Sequence, residues 1–331
     1  MSSGPSTGSP PSCVPQASCA EMTSNRAKEN VLECIGETPL VRLNRVRPPE
    51  GAELYVKLES MNPMGSIKDR AALSMVEDAE ARGILPPGGV IVEATSGNTG
   101  IGLAMVAAVK GYRLMIVMPE TMSLERRQLL QALGAELVLT PGTEGMAGSL
   151  AKAEELVREK GAFMPSQFSN PANSMAHYTG TASEVLRQLP DVTAVVVGIG
   201  TGGTVSGIGR AMRNFSPGVR MVGVEPVESP LISEGRSGPH RIEGIGANFI
   251  PALLDMEVVD EMRTVNFEDA RSAVRRLAKE EGILVGPSSG AVVHAAMEVA
   301  SEMVQGKVLA ILPDGGQRYM STGLFRDDED E

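Results

Sequence analysis

The chain has 331 residues, 42% of them hydrophobic, and a formal charge of −11. That length buries a full core in one large domain or two medium ones, while the acidic balance argues against a nucleic-acid or anionic-membrane surface. No run approaches the roughly 18 apolar residues that span a bilayer, so no membrane segment is expected and a cytoplasmic protein is.

Residues 1–26 are rich in Ser, Pro and Gly and lack the basic start and apolar stretch of a signal peptide, so a disordered tail is expected there. Cys13, Cys19 and Cys34 all lie in or near it, which implies no disulfide framework and fits a reducing compartment. His177, His240 and His294 are far apart and in no ligand spacing, so no metal site is expected. Five acidic residues, 327–331, close the chain as a solvated terminus.

From residue 53 onwards short apolar runs alternate with amphipathic stretches. Strands are predicted at 53–59, 90–94, 113–118, 136–140, 193–200, 220–225 and 307–312. Helices are predicted near 69–82, 98–110, 123–133, 146–160, 173–189, 203–213, 267–281 and 289–303. This alternation predicts an α/β fold of two three-layer α/β/α domains with mostly parallel sheets. The division expected is 27–172 and 173–331, with the stretch 167–173 as the crossing and the first strands free to pair with the other sheet. Ligands of such sheets sit beyond the C-terminal ends of the strands, which directs attention to the loops there.

The first notable stretch is NPMGSIKDRAA (62–72). A turn precedes a helical pattern, which puts Lys68 at a helix N-terminus, where the helix dipole disfavours a cation by about 0.3–1 kcal/mol. The second is EATSGNTG (93–100), with Thr95, Ser96, Asn98 and Thr99 around Gly97 at a helix start, a donor-rich cradle for a carboxylate or phosphate. The third, GIGTGGTVSG (198–207), contains Gly198-x-Gly200-x-x-Gly203, formally a dinucleotide fingerprint, with Glu225 closing the next strand. Its Thr201, Thr204 and Ser206 add hydroxyls suited to a terminal phosphate. LVGPSSGAVV (284–293) and ILPDGGQRY (311–319) are further polar turns after strands. Two anion cradles and a lysine at a helix start are what pyridoxal phosphate requires: an amine for its aldehyde, a phosphate cup, and donors around its ring.

Taken together, NPMGSIKDR, EATSGNTGIGLA, MPETMSLERR, QFSNPAN, GIGTGGTVSGIGR, EGIGANFIP, EEGILVGPSSGA and LPDGGQRY resemble the cysteine synthases (O-acetylserine sulfhydrylases), in unbroken order from about Ile35 to Phe325. These are fold-type II, tryptophan-synthase-β-like enzymes that use pyridoxal 5'-phosphate. The resemblance implies that Lys68 is the Schiff-base lysine and catalytic base, and that Asn98 bonds the cofactor's ring oxygen. It places the phosphate on Gly200, Thr201, Gly202, Gly203 and Thr204, and Ser288 at the pyridine nitrogen. Thr95, Ser96, Gly97, Thr99 and Gln167 would take the substrate carboxylate, with Gly244 bordering the cleft.

The reaction implied is O-acetyl-L-serine plus sulfide to L-cysteine plus acetate, through an aminoacrylate. A homodimer and docking of the C-terminal tail of serine acetyltransferase are implied in the same way. Lys68 must be uncharged to do this work, and desolvation can lower its pKa by several units, with the helix terminus a minor helper. Two segments depart from the common pattern: Asn248 in GIGANF, and YTGTASE (178–184). Cystathionine β-synthases and O-phosphoserine sulfhydrylases share the core motifs and are the alternatives. A nicotinamide oxidoreductase would use GIGTGG and Glu225 but leaves Lys68 and TSGNTG without a task. A catalytically idle relative would be expected to have lost the lysine.

Overall fold

The computed structural model describes residues 27–326; the expectations for 1–26 and 327–331, with Cys13 and Cys19, lie outside the described residues. Nine strands form two sheets among them. The larger has the order β1-β2-β9-β6-β7-β8, made of β1 (Leu40–Arg42), β2 (Glu53–Leu58), β6 (Ala194–Gly198), β7 (Arg220–Pro226), β8 (Glu261–Val265) and β9 (Lys307–Leu312). The smaller is β3-β4-β5, from Val90–Ala94, Arg113–Pro119 and Glu136–Thr140. Every pairing is parallel except β1 on β2. The early strands β1 and β2 thus belong to the sheet built otherwise from the second half of the chain, with Leu54 opposite Val308 and Val56 opposite Ala310.

The inner strands read as continuous apolar runs because helices cover both faces. β9 (KVLAIL) is buried from Val308 onwards, and β6 (AVVVG) is buried along its first four residues. Their side chains feed two cores, one with Val292, Ala296 and Val274, the other with Ile208, Met212 and Val185. The small sheet has its own core around Ile91, Leu103 and Ile116. Sequence periodicity misses two strands, β1 and β8, for one reason. Both are short edge strands with polar, partly exposed residues, so neither shows an apolar run.

Six helices bear on the site: α1 (Lys68–Ala81), α2 (Asn98–Lys110), α3 (Leu124–Ala132), α4 (Gly145–Lys160), α5 (171–188) and α6 (Gly203–Phe215). Two more, α7 (Phe267–Arg276) and α8 (Pro287–Ser301), pack on the large sheet. α2 is buried on nearly every side, which suits its sequence NTGIGLAMVAAVK, and it stops at Gly111 in the left-handed region, φ 75°. The predicted helix 173–189 instead starts at Pro171, capped by the Asn170 side chain on the Ala172 amide at 3.0 Å. It is α-helical over Pro171–Ala176 and Ala182–Gln188, with a π-helical turn His177–Thr181 between; we call the whole α5. The widened turn carries His177 into the interior, against α6.

One buried charge network ties these elements together. Arg70, on the first turn of α1, donates Nε to Glu59 at 2.7 Å and Nη1 to Glu184 of α5 at 2.6 Å. Lys57 of β2, fully enclosed, approaches the same Glu184 at 2.8 Å. Two cations face two carboxylates, so the cluster is neutral overall and its donors are used, as buried charges require. Its place two residues after Lys68 anchors the start of α1.

Candidate active site

The C-terminal end of β3 runs into Thr95–Gly97 and then α2; that of β6 runs into Gly198–Gly202 and then α6. Lys68 opens α1 between these two loops. A cavity of about 250 Å³ is bounded by Lys68, Thr95, Gly97, Asn98, Thr99, Gln167, Gly200, Thr201 and Gly244, with Phe168, Arg126, Glu243, Ala247 and the buried Tyr319 completing its lining. A deeper recess of about 30 Å³ shares Lys68, Gly200, Thr201 and Gly244 and adds Gly202 and Thr204. The structure therefore brings together every residue picked out for the site except Ser96, Gly203 and Ser288 as direct lining. Ser96 presents its backbone carbonyl to Arg126, and Gly203 opens α6 behind the loop. Ser288 is buried at the start of α8, its Oγ 3.4 Å from where a Cβ on Gly244 would stand.

The Lys68 amine forms no hydrogen bond or ion pair among the described residues. Burial holds its pKa below that of a free lysine, outweighing the opposing pull of the Asp314 carboxylate. An amine that loses its proton easily and faces a cavity is a nucleophile and a base.

The glycine loop has the shape of an anion cup. A Cβ on Gly200 would stand 2.4 Å from the Gly244 carbonyl oxygen, and one on Gly203 2.3 Å from Asn173 Oδ1. Gly202 has φ 80°, a conformation that L side chains rarely adopt. Bare amides at the N-terminus of α6, with the Thr201 and Thr204 hydroxyls, present donors to a phosphate. The lysine, the cup and the half-buried Asn98 together fit pyridoxal phosphate.

On the other wall, Thr99 donates its hydroxyl to Gln167 Oε1 at 2.6 Å, so the Gln167 amide NH₂ remains to meet a carboxylate beside Thr95. Asn173 links the two cradles, donating to the Gln167 carbonyl at 2.7 Å and to Thr201 Oγ1 at 3.1 Å. Glu225, the residue an oxidoreductase would use on a ribose, instead accepts from the amides of Ile232 and Ser233, both at 2.9 Å, and is buried.

Several site residues were not found by sequence reasoning. His177 reaches Thr204 Oγ1 from Nε2 at 3.3 Å and Thr181 Oγ1 from Nδ1 at 3.0 Å. Burial, then the nearby Lys68 and Arg70 charges, keep it neutral, with its pKa well below the usual histidine range. A lone histidine in no ligand spacing gives no signal in sequence. Arg126 and Glu243 pair across the cavity mouth at 2.6 Å, from α3 on the small-sheet side to the loop after β7. Asn248, the departure in GIGANF, has φ 61°, a backbone that favours glycine, and its Oδ1 accepts from the Ser229 hydroxyl at 2.6 Å. Asn is the residue other than Gly that tolerates this backbone best, so the loop shape survives the substitution.

Glu93, at the end of β3, supports the wall from behind: its Oε2 accepts the Ser166 amide at 2.8 Å. Burial pushes its pKa up to about 7, outweighing the two backbone donors. The native state therefore holds a proton that the unfolded chain releases above about pH 4.5, and stability falls as pH rises from there to about 7. Glu93→Gln is expected to remove that slope and to be more stable than the parent at pH 8 by about 1–3 kcal/mol. Urea unfolding at pH 5 and pH 8 measures it.

Comparison with known proteins agrees with this geometry. The family model for pyridoxal-phosphate dependent enzymes matches residues 31–314. A cysteine synthase of Staphylococcus aureus (strain Mu50) is 51% identical over 304 residues, covering 91% of this chain and 98% of that protein. A probable cysteine synthase of Bacillus subtilis is 49% identical over 302 residues, covering 89% and 97%. Among solved structures, O-ureido-L-serine synthase superposes with a TM-score of 0.89 at 47% identity, covering 92% of this chain and 97% of that one. O-acetylserine sulfhydrylase isoform 3 from Entamoeba histolytica gives 0.89 at 44% identity, covering 93% and 94%. With its lysine, glycine cup and TSGNTG wall in one cavity, this chain belongs to the cysteine synthases of the pyridoxal-phosphate dependent enzyme family.

Proposed function

We propose that this enzyme replaces the β-acetoxy group of O-acetyl-L-serine with sulfide, giving L-cysteine and acetate. The observation that carries it is the buried Lys68 amine, its pKa lowered by desolvation, set between a carboxylate cradle and a phosphate cup. Pyridoxal 5'-phosphate, when bound, supplies a carbonyl carbon for amines and a ring that withdraws electrons from Cα. Lys68 Nζ is the amine that would bond it; Gly200 to Thr204 would hold its phosphate, Asn98 its ring oxygen and Ser288 its pyridine nitrogen. A hydroxyl rather than a carboxylate at that nitrogen moderates the ring's pull on electrons, which suits loss of a β-substituent. Thr95, Ser96, Gly97, Thr99 and Gln167 bind and orient the substrate carboxylate, and Gly244 leaves room at the cleft wall. Lys68 takes the Cα proton as acetate departs and returns it after sulfide has added at Cβ.

The small β3-β4-β5 sheet carries the carboxylate wall and is separate from the sheet carrying the cup. We place a boundary near 172 and expect the small-sheet unit to close over the substrate, with Arg126 and Glu243 meeting at the rim. Among the described residues no helix is long and apolar enough to cross a membrane. A homodimer, a cytoplasmic location and docking of the serine acetyltransferase tail in the cleft belong to the same proposal.

The test is the visible spectrum of the loaded enzyme. O-acetylserine should displace the lysine-bound band within one turnover, and sulfide should restore it with release of cysteine. A response to serine alone, with cystathionine formed from homocysteine, would overturn the proposal in favour of a cystathionine β-synthase; a response to O-phosphoserine alone would move it to that donor. Gly200→Ala tests the cup: with the Gly244 carbonyl 2.4 Å from the new methyl, cofactor affinity is expected to fall at least about tenfold, measured by titrating the apoprotein.

A further inference from the structure

Asp314 follows β9 and is enclosed, 2% exposed. Its Oδ2 accepts from Asn98 Nδ2 at 2.7 Å and from the Tyr319 hydroxyl at 2.6 Å, while Oδ1 has no partner. From the other side Arg318 donates Nη1 to Asn98 Oδ1 and Nη2 to the Met64 carbonyl. The Asn98 amide is thus held at both ends by groups of opposite character: a guanidinium only donates and a carboxylate only accepts. Turning the amide over would set its NH₂ against the guanidinium and its oxygen against the carboxylate, losing two charge-assisted hydrogen bonds. An amide has two N–H groups and Asp314 takes one. The other is left for the cavity that Asn98 and Lys68 share.

We propose that Asp314 and Arg318 are positioning residues: together they lock the Asn98 amide so that its free N–H meets the ring oxygen of the bound cofactor. This rests on Asn98 as the ring-oxygen donor, and the variants are chosen to separate the two ideas. A carboxylate is not required for the lock, since an amide oxygen at 314 can accept both bonds; a methyl group cannot.

The loaded parent, Asn98→Ala, Asp314→Ala, Asp314→Asn, Arg318→Met and the double variant Asn98→Ala/Asp314→Ala are compared by the position and pH midpoint of the cofactor's visible band and by cofactor affinity. The lock predicts that Asp314→Ala and Arg318→Met shift the band in the direction of Asn98→Ala and weaken cofactor binding about 5–10-fold. It also predicts that Asp314→Asn stays close to the parent and that Asp314→Ala adds nothing once Asn98 is gone. An unchanged band and affinity in Asp314→Ala overturns the lock, as does an undiminished effect in the Asn98→Ala background or equal damage from Asp314→Asn. If Asn98→Ala itself changes neither quantity, the donor assignment falls and the lock with it. Should Asp314→Ala fail to fold, Arg318→Met alone and combined with Asn98→Ala makes the same comparison.

Discussion

Lys68→Ala is expected to reduce turnover by about 10³-fold or more, because in the proposed function one side chain supplies both the covalent amine and the proton shuttle at Cα. The cup and the Asn98 wall are untouched, so the variant should still bind pyridoxal phosphate without the lysine-bound visible band. Stability should move the other way. Burial lowers the folded pKa of Lys68 below that of a free lysine, so the native state binds fewer protons at this group than the unfolded chain does. The cost is fully present below the folded pKa and fades as pH rises from there to the ordinary lysine value of 10.5. Apoprotein carrying Lys68→Met, which fills similar volume without a charge to desolvate, should therefore be more stable than the parent at pH 7 and equal to it near pH 10.5. Denaturant unfolding at the two pH values decides this; a variant less stable at pH 7 would show that burial does not lower the Lys68 pKa. A residue that lowers stability where it performs chemistry is the usual trade at an active site.

The second large effect belongs to Arg70→Met. Removing this guanidinium leaves Glu59 and Glu184 enclosed with Lys57 as their one remaining cation, and loses four short bonds to carboxylate oxygens, of 2.6 to 2.9 Å. An uncompensated buried charge costs about 3–5 kcal/mol, which for a chain of this size lowers the melting temperature by about 5–10 °C in calorimetry. Adding Glu59→Gln to Arg70→Met should destabilise by less than the sum of the two single changes, since it removes the charge left without its partner. The network also has a pH signature. Glu184 is drawn down to about 2 from an ordinary 4.5, its ion pairs with Arg70 and Lys57 outweighing burial. Its contribution is complete above about pH 4.5 and disappears as pH falls towards 2, so Glu184→Gln should flatten the acid limb of the stability profile. Activity should fall with Arg70→Met as well, because Arg70 lies two residues after Lys68 and fixes where α1 begins.

Much of this molecule is readable from its residues in order. Continuous apolar runs such as KVLAIL and TAVVVGIG mark strands covered on both faces, and Gly-rich turns following them mark the ligand-binding edge. Lys68, TSGNTG and GIGTGG announce their chemistry because each is a local pattern: a cation at a helix start, hydroxyls at a helix start, glycines where a side chain would collide. Edge strands β1 and β8 are invisible to the same reasoning, since a strand with one neighbour and a wet face needs no apolar run.

What the order of residues determined by itself was the α/β class, the place of nearly every inner element, and the chemical kind of the site. The tertiary structure alone decided which distant groups complete it. Asp314 meets Asn98 across 216 positions, Glu184 meets Arg70 across 114, and His177 reaches Thr204 because a π-helical turn swings it inward. Charges and amides at such separations carry no periodic signature. Their partners, and hence their protonation and orientation, exist only once the sheets have packed and water has been driven out.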